Sequence, residues 1–490
     1  MSGTLVAGVA VSPEHFIGGR RVASAARFED RSPIDEHVLA EVARGGEAEV
    51  GLAVEAAAHA FPGWAALGAR GRAEHLRRLA DLIDANVDRI ASVECLDMAM
   101  LERSLRARVI PRGARNFRSY AELAEAYEER LWSSNGTANR VLRMPSGPAA
   151  VVTPWNAPFM LSTWKTAPAL AGGSTVVLKP PEWAPLSCSL LADLTDEAGF
   201  PPGVFNVVQG IGEEAGAALV GDAGVRRVSF TGSSETGRLV AVAAARNLVP
   251  FTAELGGKGA FVVFADADLD AAAEKAALQY DDSGQNFMAG TRLLVEERVS
   301  GEFLERFHRA VDRQVLGDPR DEATTISPLI HREHLARVEG FVERARANGD
   351  RIVRGGRVAD LGGLWYEQTL IEPRTNDSEI VQREVFGPVL TFQTFQTENE
   401  ALALANSTEY GLAAILYTSS AERANRIGRV LRAGTVWVNS FLVRDLTAPF
   451  GGIGISGIGR EGGEYALDFY SDLKTLQILD GTTRLSVRFA

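Results

Sequence analysis

The chain has few cysteines and no long apolar run, and both absences narrow what it can be. Two cysteines in 490 residues cannot form a disulfide framework, which is typical of a reducing compartment. No apolar run reaches roughly 18 residues, so no transmembrane helix is expected. The N-terminus does not combine a basic region with an apolar stretch and a cleavage site, so no signal peptide is predicted. These features predict a cytoplasmic protein.

An excess of positive charge is also missing, since the formal net charge is -12. This balance argues against non-specific nucleic-acid binding. A hydrophobic content of 46% and a charged content of 23% are near globular averages, which excludes a disordered or fibrous chain. A chain of this length buries a large core, and we expect two or three structural units.

Both cysteines are expected to be packed as small hydrophobic residues. Cys95 and Cys188 each lie on the apolar side of a helical pattern. Buried thiols of this kind behave as core side chains. Neither is predicted to act as a nucleophile.

Short Val-rich runs alternate with helical patterns between about residues 149 and 257. The strand candidates are AAVVTPW, STVVLKP, VFNVVQG, VRRVSFTG and PFTAELGG. Between them lie LSTWKTAPALAGG, LSCSLLADLTDEAG and EEAGAALVGDAG, which have the pattern of helices ending near glycine. The alternation predicts parallel strands with helical crossovers, in a doubly wound sheet.

A second alternating block extends from about residue 258 to 448. Its strand candidates are GAFVVFAD, TRLLVEERV, QTLIEP, PVLTFQTF, AAILYTS and TVWVNS, and its clearest helices are SGEFLERFHRAVDRQV and HREHLARVEGFVERARANG. The first 120 residues are predicted to be mostly helical. The fold class is therefore α/β, with two alternating blocks.

Two extended segments lie outside these blocks. The stretch EERLWSSNGTANRVLRM predicts a hairpin, because Asn135-Gly136 is a strong turn signal. The C-terminal TLQILDGTTRLSVRFA is predicted to be extended. Unpaired strand edges usually pair with another chain, so we expect a homodimer or homotetramer. The alternative is two surface ribbons within a monomer.

Several polar or glycine-rich segments follow the strand candidates in a specific order. They are residues 152–156, 179–182, 230–237, 254–258, 384–388 and 449–452, the last leading into residues 456–461. Together they resemble the aldehyde dehydrogenase superfamily over essentially the whole chain. The stretches TPWNAPFMLSTWKTAPALA and FGGIGISGIGREGGEYALDFY most resemble the branch that handles hydroxymuconic semialdehydes from aromatic-ring degradation.

The resemblance implies three structural parts. Residues 1–122 and 146–256 would form a dinucleotide-binding domain with a doubly wound parallel sheet, and residues 257–448 a second α/β domain that is catalytic. Residues 123–145 and 471–490 would form a small β oligomerisation ribbon. Residues 449–470 would return to the cofactor domain.

A nicotinamide cofactor is predicted on two grounds. Glycines at 232 and 237 bracket a strand-to-helix turn, which would let a helix N-terminus approach a pyrophosphate, although a plain loop has the same pattern. The resemblance implies NAD, with the contacts Thr153, Pro154, Trp155, Lys179, Glu182, Gly232, Ser233, Thr236, Leu255, Gly256, Glu384 and Phe386. The Glu182 carboxylate would repel a 2′-phosphate and so favours NAD over NADP.

The implied catalytic residues include a substitution. In residues 284–292, which resemble the family's active-site segment, Phe287 occupies the position of the cysteine whose thiolate attacks the aldehyde. A phenyl ring cannot form a thiohemiacetal. Asn156 resembles the side-chain donor to the oxyanion, and the N–H of residue 287 would be the second donor. Glu254 resembles the general base.

Three activities remain possible without a thiolate. Hydride could leave a hydrate or hemiacetal directly, with Glu254 taking the hydroxyl proton. The protein could instead oxidise an alcohol or reduce a carbonyl. It could also bind NAD and perform no chemistry, as a pseudoenzyme or partner subunit.

The candidate substrate residues are basic and aromatic. Arg108, Arg112 and Arg115 have the spacing of one helical face, which would suit a carboxylate or form a solvated basic face. By resemblance, Phe159, Trp164 and Phe441 would line a substrate tunnel, although each could equally be core. No metal site is predicted, because His331 and His334 are more typical of a helix start than of a metal pair.

Overall fold

A computed structural model of the chain describes residues 3–479. Residues 1–2 and 480–490 lie outside the described part. Of the predicted ribbon segment 471–490, only residues 471–479 are therefore described. Within residues 3–479, no helix is long and apolar enough to cross a membrane.

The first 120 residues are mostly helical, as predicted, but residues 4–43 form short strands that the sequence did not indicate. The strands are β1 (Thr4–Val6), β2 (Val9–Val11), β3 (His15–Ile17), β4 (Arg20–Val22), β5 (Arg27–Arg31) and β6 (Val38–Ala43). Strands β1 to β4 have only three residues each, which is too short for a clear period-two signal.

Helices begin at Glu47, as the sequence predicts for this part of the chain. They are α1 (Glu47–Ala66), α2 (Gly68–Ala85), α3 (Val87–Met98), α4 (Glu102–Ser104) and α5 (Ile110–Glu125). A π-helical turn, Leu105–Val109, connects α4 to α5. The inner face of α5 buries Phe117 and Tyr120, which anchors this helix on the core.

The predicted hairpin is confirmed as β7 (Arg130–Ser134) and β8 (Thr137–Pro145). Asn135 and Gly136 both have positive φ, at 51° and 71°. A two-residue loop of this geometry matches the right-handed twist of the strands, which is why Asn-Gly forms it readily.

The first alternating block forms the predicted parallel sheet. Its elements are β9 (Pro148–Val152), α6 (Pro158–Ala171), β10 (Thr175–Lys179), α7 (Leu186–Glu197), β11 (Phe205–Val207), α8 (Ala217–Gly221), β12 (Arg227–Thr231), α9 (Ser234–Arg246) and β13 (Phe251–Glu254). These strands lie in the parallel order β13-β12-β9-β10-β11. In β9, Ala149 and Val151 join one core cluster while Ala150 and Val152 join another. Both faces are covered, as in a doubly wound sheet.

The second block forms another sheet. Its elements are β14 (Ala260–Val263), α10 (Leu269–Ala277), β15 (Arg292–Glu296), α11 (Ser300–Asp312), α12 (Arg332–Ala347), β16 (Arg351–Arg354), β17 (Thr369–Glu372), α13 (Glu379–Gln382), β18 (Val389–Phe395), α14 (Glu398–Ala405), β19 (Ala413–Tyr417), α15 (Ala421–Val430) and β20 (Thr435–Val438). The order is β16-β17-β18-β15-β14-β19-β20, with only β16 antiparallel to its neighbour. Further helical turns are Gly212–Gly216, Leu278–Gly284, Glu297–Val299 and Gly454–Ser456.

The C-terminal region returns to elements that precede it. Its elements are β21 (Gly457–Ile458), α16 (Gly463–Phe469) and β22 (Ser471–Leu479). β21 pairs with β13 and completes the first sheet, whose other edge is β3 and β4. β22 pairs with β8 along its whole length, giving a three-stranded sheet in the order β22-β8-β7.

Candidate active site

The carboxyl ends of the parallel strands bring four of the sequence segments to one edge. Lys179, the last residue of β10, pairs in register with Val152, the last residue of β9. Thr231 of β12 pairs with Glu254 of β13. Ligands of doubly wound folds bind at this edge, so the sheet itself assembles the predicted residues.

Glu254 is a buried carboxylate without a hydrogen-bond partner. It is 2% exposed, and neither carboxylate oxygen has a partner among the described residues. Burial, and then repulsion from Glu461, raises the pKa of Glu254 well above its ordinary value, although Lys165 and Arg444 act in the opposite direction. Glu461 itself forms a buried ion pair with Lys165. Such a group holds its proton more tightly than an exposed carboxylate and can serve as a base near neutral pH.

Asn156 contacts the loop that carries Phe287. Its Nδ2 donates to the main-chain oxygen of Gln285 at 2.9 Å. The N–H of Phe287 donates no hydrogen bond within residues 3–479. The Phe287 ring is partly buried against the core cluster that contains Phe159 and Leu161. The Asn156 amide and the unused N–H of Phe287 therefore belong to two segments in contact, and both groups can donate to an oxyanion.

Two glycines let three loops approach closely. A Cβ on Gly257 would overlap the Phe287 carbonyl oxygen, and a Cβ on Gly256 would overlap the Glu384 carboxylate. Because both glycines lack a side chain, the Glu384 carboxylate can come close, and its Oε1 accepts a hydrogen bond from the Gly257 N–H at 2.8 Å. Burial raises the pKa of Glu384 to about 7. The Glu254, Phe287 and Glu384 loops thus form one junction.

The predicted phosphate turn is a capped helix start. Ser233 Oγ accepts from the Thr236 N–H at 3.1 Å at the start of α9, and the two hydroxyl oxygens are 3.0 Å apart. Gly232 precedes this cap, and Leu255 packs beneath it against Gly237. An exposed helix N-terminus with two hydroxyls is a suitable anion site.

Lys179 and Glu182 form an ion pair 2.7 Å long. Burial raises the pKa of Glu182, but the Lys179 charge and hydrogen bond outweigh it, and the pKa is lowered overall. The pair lies beside Gly212, whose Cβ position would be 3.7 Å from Glu182 Oε1. It offers a donor and an acceptor of the kind that a ribose diol requires.

Aromatic rings follow the turn that contains Thr153, Pro154 and Trp155. The Trp155 ring meets Phe386 edge-on at 5.3 Å and His334 at 5.1 Å. His331 stacks on Trp183 at 4.8 Å, with the rings 9° from parallel. His331 also caps α12, as the sequence predicts. Trp183 was not among the predicted site residues, and His334 was predicted only as part of a helix start.

Arg112 and Arg444 both lie against Trp164, and Arg444 was not among the predicted site residues. Each guanidinium carbon lies 5.4 Å from the indole centroid. Burial, and then the charge of Arg444, lower the pKa of Arg112 to about 10. Neither arginine has a salt bridge among the described residues. Arg112 donates a hydrogen bond to Asn116, and Arg444 donates one to the Met288 sulfur. These two cations can receive an anionic ligand.

The predicted basic face of Arg108, Arg112 and Arg115 is not formed. Arg108 and Arg115 are exposed, and Arg108 donates to Ser104. Arg108 lies in the π-helical turn, whose extra residue per turn breaks the α-helical spacing. Pro111 does not interrupt α5, because it occupies the first turn. Only Arg112 of the three is turned inward.

The other two tunnel candidates have different surroundings. Phe159 is fully buried, and a Cβ on Gly113 would lie 2.7 Å from its ring. Phe441 is half-buried and meets Trp437 edge-on at 5.6 Å. Phe159 is therefore a core residue, whereas Phe441 is partly open.

Both cysteines are buried, as predicted. Cys188 lies in α7, where its sulfur is 3.2 Å from Ser162 Oγ. Burial raises the pKa of Cys188 well above its ordinary value and that of Cys95 to about 12. Thiols of raised pKa are poor nucleophiles at neutral pH.

Comparison with known proteins gives extensive similarity. Residues 21–476 match the model described as "Aldehyde dehydrogenase family". A 2-hydroxymuconic semialdehyde dehydrogenase of Pseudomonas sp. strain CF600 is 42% identical, covering 94% of this chain and 98% of that protein. A 5-carboxymethyl-2-hydroxymuconate semialdehyde dehydrogenase of Escherichia coli is 40% identical, covering 92% and 98%. The P. syringae indole-3-acetaldehyde dehydrogenase, solved as a cysteine-to-alanine mutant with NAD+ and IAA, is 37% identical with a TM-score of 0.94, covering 96% and 98%.

Proposed function

Because this chain belongs to the aldehyde dehydrogenase family, we propose that it is an NAD-dependent oxidoreductase that oxidises an aldehyde without a cysteine nucleophile. The observation that carries the proposal is Glu254, a buried carboxylate with both oxygens unpaired beside the Asn156 and Phe287 loops. A buried, unpaired carboxylate is costly unless a ligand or a proton uses it. Proton removal from a bound substrate is the use we assign to it.

The donor set of the site fits NAD. Ser233 and Thr236 at the α9 N-terminus would hold the pyrophosphate, and Lys179 with Glu182 the adenosine ribose. Glu384 and Phe386 would contact the nicotinamide half. The ionised Glu182 carboxylate would repel the extra phosphate of NADP. NAD is the hydride acceptor in such a reaction.

Oxidation of an aldehyde hydrate needs no leaving group. As the carbon–hydrogen bond breaks, the hydride leaves with both electrons and one hydroxyl proton passes to Glu254. The oxygen that gives up this proton forms the carbonyl of a carboxylic acid, and the second hydroxyl becomes its OH group. The Asn156 amide and the Phe287 N–H would stabilise the hydroxyl oxygen that loses its proton, because negative charge develops on that oxygen. Orientation and electrostatics replace covalent catalysis.

The substrate we propose is a semialdehyde that carries a carboxylate. Arg112 and Arg444 are half-buried cations without a salt bridge among residues 3–479, and both lie against the apolar ring of Trp164. Arg444 also acts on the charge of Glu254, so the pair lies near the reacting group. The names of two relatives, both muconate-type semialdehyde dehydrogenases, support this substrate class.

We also propose that the protein is a homodimer or homotetramer. The sheet of β22, β8 and β7 exposes Trp132, Leu473 and Leu476, which are 41%, 64% and 40% exposed. β22 and β7 are the outer strands of this sheet. Apolar side chains on an open sheet are typical of an interface between chains.

A turnover assay with a cysteine-free protein tests the proposal. The double variant Cys95→Ala/Cys188→Ala and the wild-type protein would be incubated with NAD and a panel of neutral and carboxylated aldehydes, with NADH absorbance as readout. We expect similar turnover of carboxylated semialdehydes by both proteins, and no inhibition of the wild type by thiol alkylation.

Three results would contradict the proposal. Loss of turnover in a folded cysteine-free protein would assign the chemistry to a thiol. Calorimetric NAD binding with no turnover of any aldehyde or alcohol would instead indicate a binding subunit. Turnover of alcohols alone would show that the protein oxidises an alcohol and not an aldehyde.

A further inference from the structure

One face of α12 contacts the loop that contains Glu384 and Phe386. His334 Nε2 donates to the Phe386 carbonyl oxygen at 2.7 Å, and Arg337 Nη2 donates to that of Glu384 at 2.9 Å. A Cβ on Gly387 would lie 2.6 Å from Val338 Cγ2, so the loop rests directly on the helix. Positions 334, 337 and 338 lie on one side of a helix because they are three and four residues apart.

This loop has a backbone conformation that needs external support. Phe386 has a φ of +63°, in the left-handed region that a bulky residue rarely adopts. Such residues persist only where their surroundings hold them. Two contacts do so here, the hydrogen bond from His334 and the edge-on packing against Trp155.

His334 also reaches the other half of the site. Its ring meets Trp155, which directly precedes Asn156, at 5.1 Å. Burial lowers the pKa of His334 to about 4, so the ring is neutral at ordinary pH. The carbonyl oxygen can only accept, so Nε2 keeps the hydrogen. One imidazole thus holds Phe386 by a hydrogen bond and Trp155 by ring packing.

We propose that His334 is a positioning residue that holds the Phe386 loop against Trp155 and so sets the shape of the nicotinamide half of the NAD site. This rests on the proposed function, because it assumes that Glu384 and Phe386 contact NAD. It adds that the affinity for NAD depends on a side chain of α12 whose hydrogen-bond partner, among residues 3–479, is the protein main chain.

Two substitutions separate the hydrogen bond from the ring. His334→Phe keeps a ring beside Trp155 but has no donor, whereas His334→Gln keeps a donor without the ring. His308→Phe is the matched control, since His308 is half-buried against Phe307 in α11, away from this loop. NAD affinity would be measured by calorimetry, and amide exchange of residues 383–390 by mass spectrometry on the protein without NAD.

We expect His334→Phe to bind NAD roughly three- to tenfold more weakly, as for loss of one hydrogen bond. Its 383–390 amides should exchange faster, while the KM for aldehyde at saturating NAD stays unchanged. His334→Gln, which keeps the donor, should weaken NAD binding less than His334→Phe does, and His308→Phe should stay within about twofold of wild type.

Unchanged NAD affinity and exchange in a folded His334→Phe protein would overturn the proposal. Equal weakening in His334→Gln and His334→Phe would also overturn it, because the hydrogen bond would then carry no share. If wild type fails to bind NAD but His334→Phe still exchanges faster, the loop-holding role is supported and the proposed function is contradicted.

Discussion

Arg112 and Arg444 lie against the same indole, each with its guanidinium carbon 5.4 Å from the Trp164 centroid. Arg112 comes from α5, and Arg444 from the loop after β20. Two cations this close repel each other, and each has its pKa lowered, first by burial. A carboxylate between them would remove the repulsion and gain two charge-assisted hydrogen bonds.

Replacing Arg112 should therefore discriminate between substrates. We expect Arg112→Met to lower kcat/KM for a carboxylated semialdehyde about 10- to 100-fold, the effect of a hydrogen bond to a charged group. A neutral aldehyde of similar length should change by about twofold or less. Arg115→Met is the matched control, because Arg115 lies on α5 but is exposed. An equal loss on both substrates would show that Arg112 supports the structure and not the substrate.

Glu254 should control the pH dependence of turnover. A general base must be ionised, and burial followed by repulsion from Glu461 raises the pKa of Glu254. Activity should therefore increase with pH up to that raised pKa and then level off. Glu254→Gln should reduce kcat at least about 100-fold above that pKa, and the difference from wild type should shrink at lower pH, where Glu254 is protonated. Initial rates between pH 5 and 9 check this, and a flat wild-type profile would argue against Glu254 as the base.

The same carboxylate should make the folded state less stable at high pH. A folded-state pKa above the unfolded value gives stability that is present at low pH and is lost as pH rises through the folded pKa. Each unit of upward shift corresponds to about 1.4 kcal/mol. The Tm of Glu254→Gln should therefore fall less than that of wild type between pH 6 and pH 9. Thermal melting at the two pH values measures this difference. The exposed Glu235→Gln should melt like wild type at both pH values, and an equal fall in all three proteins would refute the argument.

The first sheet could be predicted because each strand is short, Val-rich and buried on both faces. Val176, Val177 and Leu178 of β10 are all fully buried, so this strand is a continuous apolar run between turn residues. The N-terminal strands lack this signal. The three-residue strand β3 pairs with its neighbour β4, but its place in the sheet depends on β11, a distant partner that no local pattern indicates.

The site was predictable only where glycine or turn residues mark a strand end. Ser233 and Glu254 follow this rule. Arg444 and His334 do not, because their roles depend on tertiary neighbours such as Trp164 and Phe386. The basic face failed for a related reason, since no local pattern shows that residues 105–109 form a π-helical turn.

The three-stranded sheet should be an interface between chains. Leu131, Arg140 and Leu476 lie in one register row across β7, β8 and β22, so the two exposed leucines share a face. Leu476→Asp should convert a dimer or tetramer to smaller species, because a buried unpaired carboxylate is costly. Light scattering after size exclusion measures this. Leu52→Asp, on an exposed position of α1, is the control. A monomeric wild type would rule out the interface.

Phe287→Cys tests whether only a sulfur separates this site from covalent chemistry. The contacts that hold the loop here, the Asn156 bond to Gln285 and the fit of the Phe287 carbonyl against Gly257, involve the main chain and survive the substitution. The new thiol would lie beside Asn156, so we expect turnover to rise at least about tenfold and to become sensitive to alkylation. Phe287→Ser removes the same ring without adding a thiol and should show neither change. A folded Phe287→Cys protein with wild-type rates would mean that neighbouring residues such as Asn286 and Met288 also oppose attack, and that this loop is shaped for hydride transfer alone.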